Sequence, residues 1–259
     1  MNTSRHISRR AALLCAAFAI CAPAAHAQKL TVAAAADLRF ALDELATQFR
    51  AAHPTVDLAI TYGSSGNFFA QIQNGAPFDV FLSADIDYPQ RLVAAGLANR
   101  DSLFRYGVGR IVLWVPAGSP VDPALGIRAL EAPSVHHIAI ANPEHAPYGR
   151  AAVAALRSLG AYDRLVPKLV LGENVAQAFQ FVESGAAEAG IVALSLALAP
   201  AARTHGRYAE LPADAYPKIE QGGVILNRAP AGPAAQFRAF LISPDARRVL
   251  KQYGFAPPE

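Results

Sequence analysis

Cysteine is nearly absent from this chain of 259 residues, and the two that occur, Cys15 and Cys21, both fall within the first 27 positions. Beyond Ala27 there is no thiol, which excludes disulfide staples, thiol nucleophiles and thiolate metal sites from that region. Charge is sparse: 17% of residues, against 53% hydrophobic. A chain so apolar does not read as disordered. No run of basic residues marks the electrostatic footprint of a nucleic-acid binder. Nor does any apolar run reach the roughly 20 residues that a bilayer-crossing helix requires.

The formal charge of +3 belongs to the amino terminus. Arg5, Arg9 and Arg10 precede an apolar stretch from Ala11 to Ala25, which ends in Ala25-His26-Ala27. A positive start, a short apolar segment and a small-x-small site form a secretory signal peptide. Residues 1–27 are therefore expected to be removed, placing the mature protein in the periplasm. The Arg9-Arg10 pair hints at twin-arginine export, although a general secretory signal explains the segment as well. Neither cysteine follows the small residue expected at a lipidation site. Without those three arginines, 20 basic residues face 20 acidic ones, so the mature chain is formally neutral.

What is present is alternation. Strand-like runs (Leu30–Ala34, Val56–Tyr62, Val80–Leu82, Arg110–Val115, Ile138–Ala141, Lys168–Leu171, Gly190–Leu194, Gly223–Leu226) are interleaved with helical patterns. Leu38, Leu42, Leu45 and Phe49 line one face of a helix. Further helices are expected at Gly66–Asn74, Arg150–Leu159 and Val175–Ala187. A last one starts at Ser243-Pro244, a capping serine followed by proline in the first turn, and stops near Gly254. Such alternation predicts an α/β protein with mostly parallel sheets flanked by helices. The strands are too many for one sheet, so two lobes are expected: residues 28–107 plus 223–259, and residues 108–222. The chain would cross near Arg105–Gly109 and at Gly222-Gly223.

Searches for catalytic motifs fail. Gly63-Ser64-Ser65-Gly66 is one residue short of a nucleophile elbow, Gly107-Val108-Gly109 lacks a third glycine, and His136-His137 and His145 have no metal-ligand spacing. The recurring feature is instead the strand-to-helix junction. Four carry small or capping residues: Ala35-Ala36-Asp37, Gly63-Ser64-Ser65-Gly66, Ala146-Pro147-Tyr148-Gly149 and Gly172-Glu173-Asn174-Val175. A helix start presents unpaired N–H groups and partial positive charge. In open α/β sheets these starts gather at the carboxyl ends of the strands, where ligands bind. Two lobes would then aim two helix starts each at one anion. Taken singly, Asp37, Ser65 and Asn174 read equally well as ordinary N-caps, and Tyr148 as a packed aromatic.

These junctions, with the run Gly75-Ala76-Pro77-Phe78-Asp79-Val80-Phe81-Leu82-Ser83-Ala84-Asp85 and the segment Asn142–Gly149, resemble the periplasmic molybdate-binding proteins of ABC uptake systems, over essentially all of residues 29–255. The resemblance implies a two-lobed type II periplasmic binding protein with its ligand cleft between the lobes. It implies a monomer that binds molybdate or tungstate, needs no cofactor, catalyses nothing and delivers its ion to a membrane permease. Family contacts to the oxyanion fall on Ala36, Asp37, Ser65, Tyr148 and Val175, with Asn174 beside them. Two departures stand out. Ala193 occupies a position where other members place a ligand-contacting tyrosine, a hydroxyl that Tyr148 is expected to replace. Asp37 stands where some members have Ser or Asn. Two unit charges 4 Å apart repel by about 4 kcal/mol at an effective dielectric constant of 20. Asp37 is thus expected either to turn away and cap its own helix, the favoured option, or to accept a proton from a ligand such as hydrogen phosphate. Phosphate or sulfate binding, and a serine hydrolase built on Ser64 or Ser65, are the competing functions.

Overall fold

The computed structural model describes residues 28–258; the expected signal peptide, with Cys15 and Cys21, lies outside them. In chain order the first lobe opens with β1 (Gln28–Ala35), α1 (Arg39–Ala52), β2 (Val56–Gly63), α2 (Ser65–Gln73), β3 (Val80–Ser83), α3 (Asp87–Ala94) and β4 (Phe104–Gly109). The second contains β5 (Ile111–Pro116), β6 (Ile138–Ala141), α4 (Pro147–Ser158), α5 (Tyr162–Leu165), β7 (Leu169–Gly172), α6 (Val175–Glu183), β8 (Ala189–Ala193), α7 (Leu194–Ala197), α8 (Pro200–His205) and β9 (Gly206–Glu210). The chain then returns to the first lobe with β10 (Ile219–Ile225), α9 (Ala231–Leu241) and α10 (Pro244–Gln252).

Each lobe is built on a five-stranded sheet, in the orders β2-β1-β3-β10-β4 and β7-β6-β8-β5-β9. Within each sheet one strand, β10 or β5, runs antiparallel to both its neighbours, so the other four share a direction. The chain changes sheet at Arg110 and again in residues 211–218. The Gly222-Gly223 pair lies inside β10, at a bulge between Gln221 and Gly222. A side chain at Gly222 would overlap Ile86 and the Phe104 carbonyl, so the pair meets the need for close strand packing.

Alternation along β1 places Leu30, Val32 and Ala34 in one apolar core and Ala33 in another across the sheet. The first core receives the predicted α1 stripe, with Phe49 stacked edge-on against Phe237 of α9. Local signals set the helix ends. Ser64 caps α2, and Gly75, at φ 84°, closes it: Gly75 N–H reaches Ile72 O and Ala76 N–H reaches Gln71 O. Ser243 Oγ caps α10 as expected. Seven elements, α3, β4, α5, α7, α8, β9 and α9, have no counterpart in the sequence reading. The outer strand β9 is largely exposed and shows no apolar run. In α9 apolar residues are spread round the helix, and α3 is short, with only Pro89 and Leu92 buried.

Phe49→Ala is expected to destabilise the first lobe by about 3–5 kcal/mol, measured by urea unfolding, because Phe49 is fully buried.

Candidate functional site

The four junctions converge. The 3-10 turn Ala36–Leu38 and the starts of α2, α4 and α6 surround a small cavity between the lobes. Ala36, Asp37, Ser65, Tyr148, Asn174 and Val175 all line it, joined by Ser64, Ala84 and Ala146, and no Lys or Arg is among its lining residues. Small residues let backbone approach the cavity, and the first N–H groups of each helix have no intrahelical acceptor. A larger groove at the lobe junction, lined by Asp85, Arg150, Lys218 and Glu220 among others, carries charges of both signs.

The polar residues divide the work differently from the expectation. Ser64, not Ser65, is the N-cap of α2. Ser65 Oγ instead accepts the Ala84 N–H at 3.0 Å, which leaves its own hydrogen to donate. Asn174 does cap α6, its Oδ1 accepting from Ala176 and Gln177 N–H.

Asp37 is not an N-cap: that position belongs to Ala35, and Asp37 sits inside the turn. Its carboxylate lies in the lobe interface, 1% exposed, where Oδ2 accepts from Tyr148 Oη–H at 2.9 Å and from Gln221 Nε2–H at 2.6 Å. Gln221 also donates to Tyr148 Oη at 3.0 Å. The single hydrogen of the Tyr148 hydroxyl is therefore given to Asp37 instead of being presented to a ligand, which corrects the exchange expected for Ala193. A side chain on Gly109 would stand 2.2 Å from Tyr148 Oη, so glycine there makes room for this triad. Ser195, at the start of α7, donates to the Asp37 carbonyl at 2.7 Å. Gln221 and Ser195 escaped sequence reasoning. For Ser195 a signal existed, since β8 to α7 is a fifth strand-to-helix junction; Gln221 follows Glu220 at the start of β10, in no recognisable motif.

Burial raises the Asp37 pKa to about 6, against the partial offset of hydrogen bonds from Gln221 and Tyr148. Tyr148 is likewise pushed up, by burial and the Asp37 charge.

The lobes are joined across the cavity mouth. Gly66 N–H and Ser64 Oγ both donate to the His145 carbonyl, at 2.9 and 2.8 Å. Ser64 Oγ also lies 2.9 Å from His145 Nδ1, and Glu173 Oε1 stands 3.8 Å from its Nε2. A Cβ at Gly66 would come within 2.5 Å of the His145 oxygen, so only glycine permits this approach. Arg150 of α4 reaches back to Asp85 at 2.5 Å and to Tyr88 Oη at 3.2 Å. These contacts hold the two lobes against each other.

Residues 30–256 match the family model described as bacterial extracellular solute-binding protein. The chain belongs to that family. It is 41% identical over 251 residues to the molybdate-binding protein ModA of Azotobacter vinelandii, covering 96% of this chain and 97% of that one. ModA of Rhodobacter capsulatus is 38% identical over 75% of both chains, and ModA of Escherichia coli 34% identical over 88% of both. The solved Azotobacter vinelandii periplasmic molybdate-binding protein superposes with a TM-score of 0.83 at 37% identity, over 89% of this chain and all of that one. The Mycobacterium tuberculosis sulfate-binding protein SubI, 17% identical with a TM-score of 0.71, shares the fold, covering 90% of this chain and 88% of that one.

A carboxyl whose folded pKa lies above its unfolded value favours folding below the unfolded value and loses that contribution as pH rises through the folded one. For Asp37 the window runs from about pH 4 to about pH 6. Without ligand, the stability difference between wild type and Asp37→Asn is expected to move against the wild type by about 3 kcal/mol between pH 4 and pH 7, read by urea unfolding at both pH values.

Proposed function

We propose that this protein captures molybdate, and tungstate with it, as the solute-binding component of an ABC importer, and delivers the ion to a membrane permease. The reading rests on one observation: helix starts from both lobes meet at one small cavity lined by no cationic side chain. The likeness to proteins named for molybdate supplies the ion. In this reading residues 1–27 are the cleaved signal, and the mature protein works in the periplasm as a monomer. Its lobes are built on residues 28–109 with 219–258, and on residues 111–210, so the expected boundaries at 107/108 and 222/223 shift to where the sheets change.

The ion is held by N–H groups of Ala36 and Asp37 on one side and of Tyr148 and Val175 on the other, with the Ser65 hydroxyl donating and Asn174 fixing its turn. Hydrogen bonds to a charged partner contribute about 1.5–3 kcal/mol each. Several of them, after desolvation and association costs, can leave about 8 kcal/mol, a micromolar constant. Rigid lobes hold the N–H groups at a fixed spacing, which favours larger tetrahedral ions over sulfate and phosphate. Closure excludes water and presents one surface for the permease to recognise.

The Ser64–His145–Glu173 contact invites a hydrolase reading. The Ser64 hydroxyl, however, caps α2, is 4% exposed and lies 2.8 Å from the His145 carbonyl oxygen. It ties the lobes together and is not offered to a substrate. An esterase assay should show no turnover.

A thermal-shift panel with molybdate, tungstate, sulfate, phosphate and chromate tests the reading. An ion at 100 times its Kd adds about 2.7 kcal/mol, and molybdate and tungstate should give the largest shifts. A shift with phosphate alone would contradict it. Ser65→Ala is expected to weaken molybdate binding by about tenfold or more, measured by calorimetry.

A further inference from the structure

We propose that the oxyanion is taken up together with one proton, held between Asp37 Oδ1 and an oxygen of the bound ion. The inference rests on the oxyanion reading of the cavity and adds the protonation state of the site to it.

The geometry is asymmetric. Asp37 Oδ2 already accepts two hydrogen bonds, from Tyr148 and Gln221, while Oδ1 is buried and has no hydrogen-bond partner. A buried unpartnered carboxylate oxygen is costly by itself, and beside a dianion it is repulsive. A proton on Oδ1 removes both penalties. It turns the oxygen from a repelling acceptor into a donor, and it leaves both bonds to Oδ2 unchanged. An already protonated oxyanion reaches the same arrangement from the other side, by donating to Oδ1. Either route gives one ion and one proton in the closed cleft.

The surroundings favour this proton. Burial already raises the affinity of Asp37 for it, and the approaching negative charge raises it further. The groups facing Asp37 do not compete. Tyr148 of α4 and Tyr106 of β4 are pushed well above their ordinary values by burial and by the Asp37 charge, and stay neutral. Gln221 of β10 and Ser195 of α7 do not titrate. His145, at the cavity mouth with Ser64 and Glu173, is the other titratable side chain that the experiment must separate from Asp37.

The test is calorimetric titration of the mature protein with sodium molybdate from pH 5.5 to 8.5, at constant ionic strength and in two buffers of different ionisation heat. Above about pH 6, Kd should rise by about tenfold per pH unit, with uptake approaching one proton per ion. Asp37→Asn should flatten the dependence to less than about threefold. Asp37→Ser, smaller and equally free of charge, should flatten it too, and serves if the amide disturbs folding. His145→Gln should keep the slope. A flat wild-type profile with tight binding and no proton uptake would overturn the proton and leave the oxyanion reading standing. A slope that survives Asp37→Asn would overturn it by assigning the proton elsewhere. No binding of any oxyanion at any pH would overturn the reading of the cavity, and the inference with it.

Discussion

A doubly charged ion taken out of water loses a hydration energy that only close, oriented dipoles or opposite charges can replace. In this molecule the site offers dipoles. The turns at Ala36, Ser65, Tyr148 and Val175 come from two separate sheets, yet all open onto one cavity. In our reading neither lobe surrounds the ion by itself, so capture depends on bringing the halves together. That requirement explains why backbone approaches so closely across the interface, with Gly66 against the His145 carbonyl and Gly109 beneath the Tyr148 hydroxyl.

Dipoles replace charge only in dry, rigid surroundings, and the contacts around the cavity supply both. Ser64 and Gly66 bind His145 at the mouth, while Arg150 reaches Asp85 across the junction. Behind the cavity, Asp37, Tyr148 and Gln221 form a buried network that draws on both lobes. It contains the one carboxylate lining the cavity, and its second oxygen is unsatisfied within the protein. A buried polar network left partly open costs stability. Here the residue that carries the open position also lines the cavity, and in our proposal the ligand and its proton complete it.

Much of this was legible in the sequence because the relevant physics is local. The stripe Leu38, Leu42, Leu45, Phe49 repeats at helical spacing, the strands alternate or run apolar, and Ser243-Pro244 and Gly75 carry helix-end chemistry within a few residues. The four junctions announced themselves by small and capping residues, and all six candidate residues line the cavity. What the sequence hid is non-local. Gln221 meets Asp37 across 184 positions, and Ser195 meets its carbonyl across 158. Nothing in the run Ala34–Leu38 distinguishes a capping aspartate from one turned into a lobe interface. The Tyr148 hydroxyl, expected to face a ligand, is claimed by a partner that only the folded chain reveals. The strand β9 was silent because an exposed edge needs no apolar alternation.

The account stands on peptide N–H groups from opposing lobes replacing cationic side chains. A crystal structure of the mature protein grown with molybdate, the metal located by its anomalous scattering, tests that most directly. The account predicts the ion in the cavity between the turns at Ala36, Ser65, Tyr148 and Val175, with its oxygens on backbone N–H groups and the Ser65 hydroxyl. An ion coordinated by Arg150 or Lys218 in the groove at the lobe junction would contradict it.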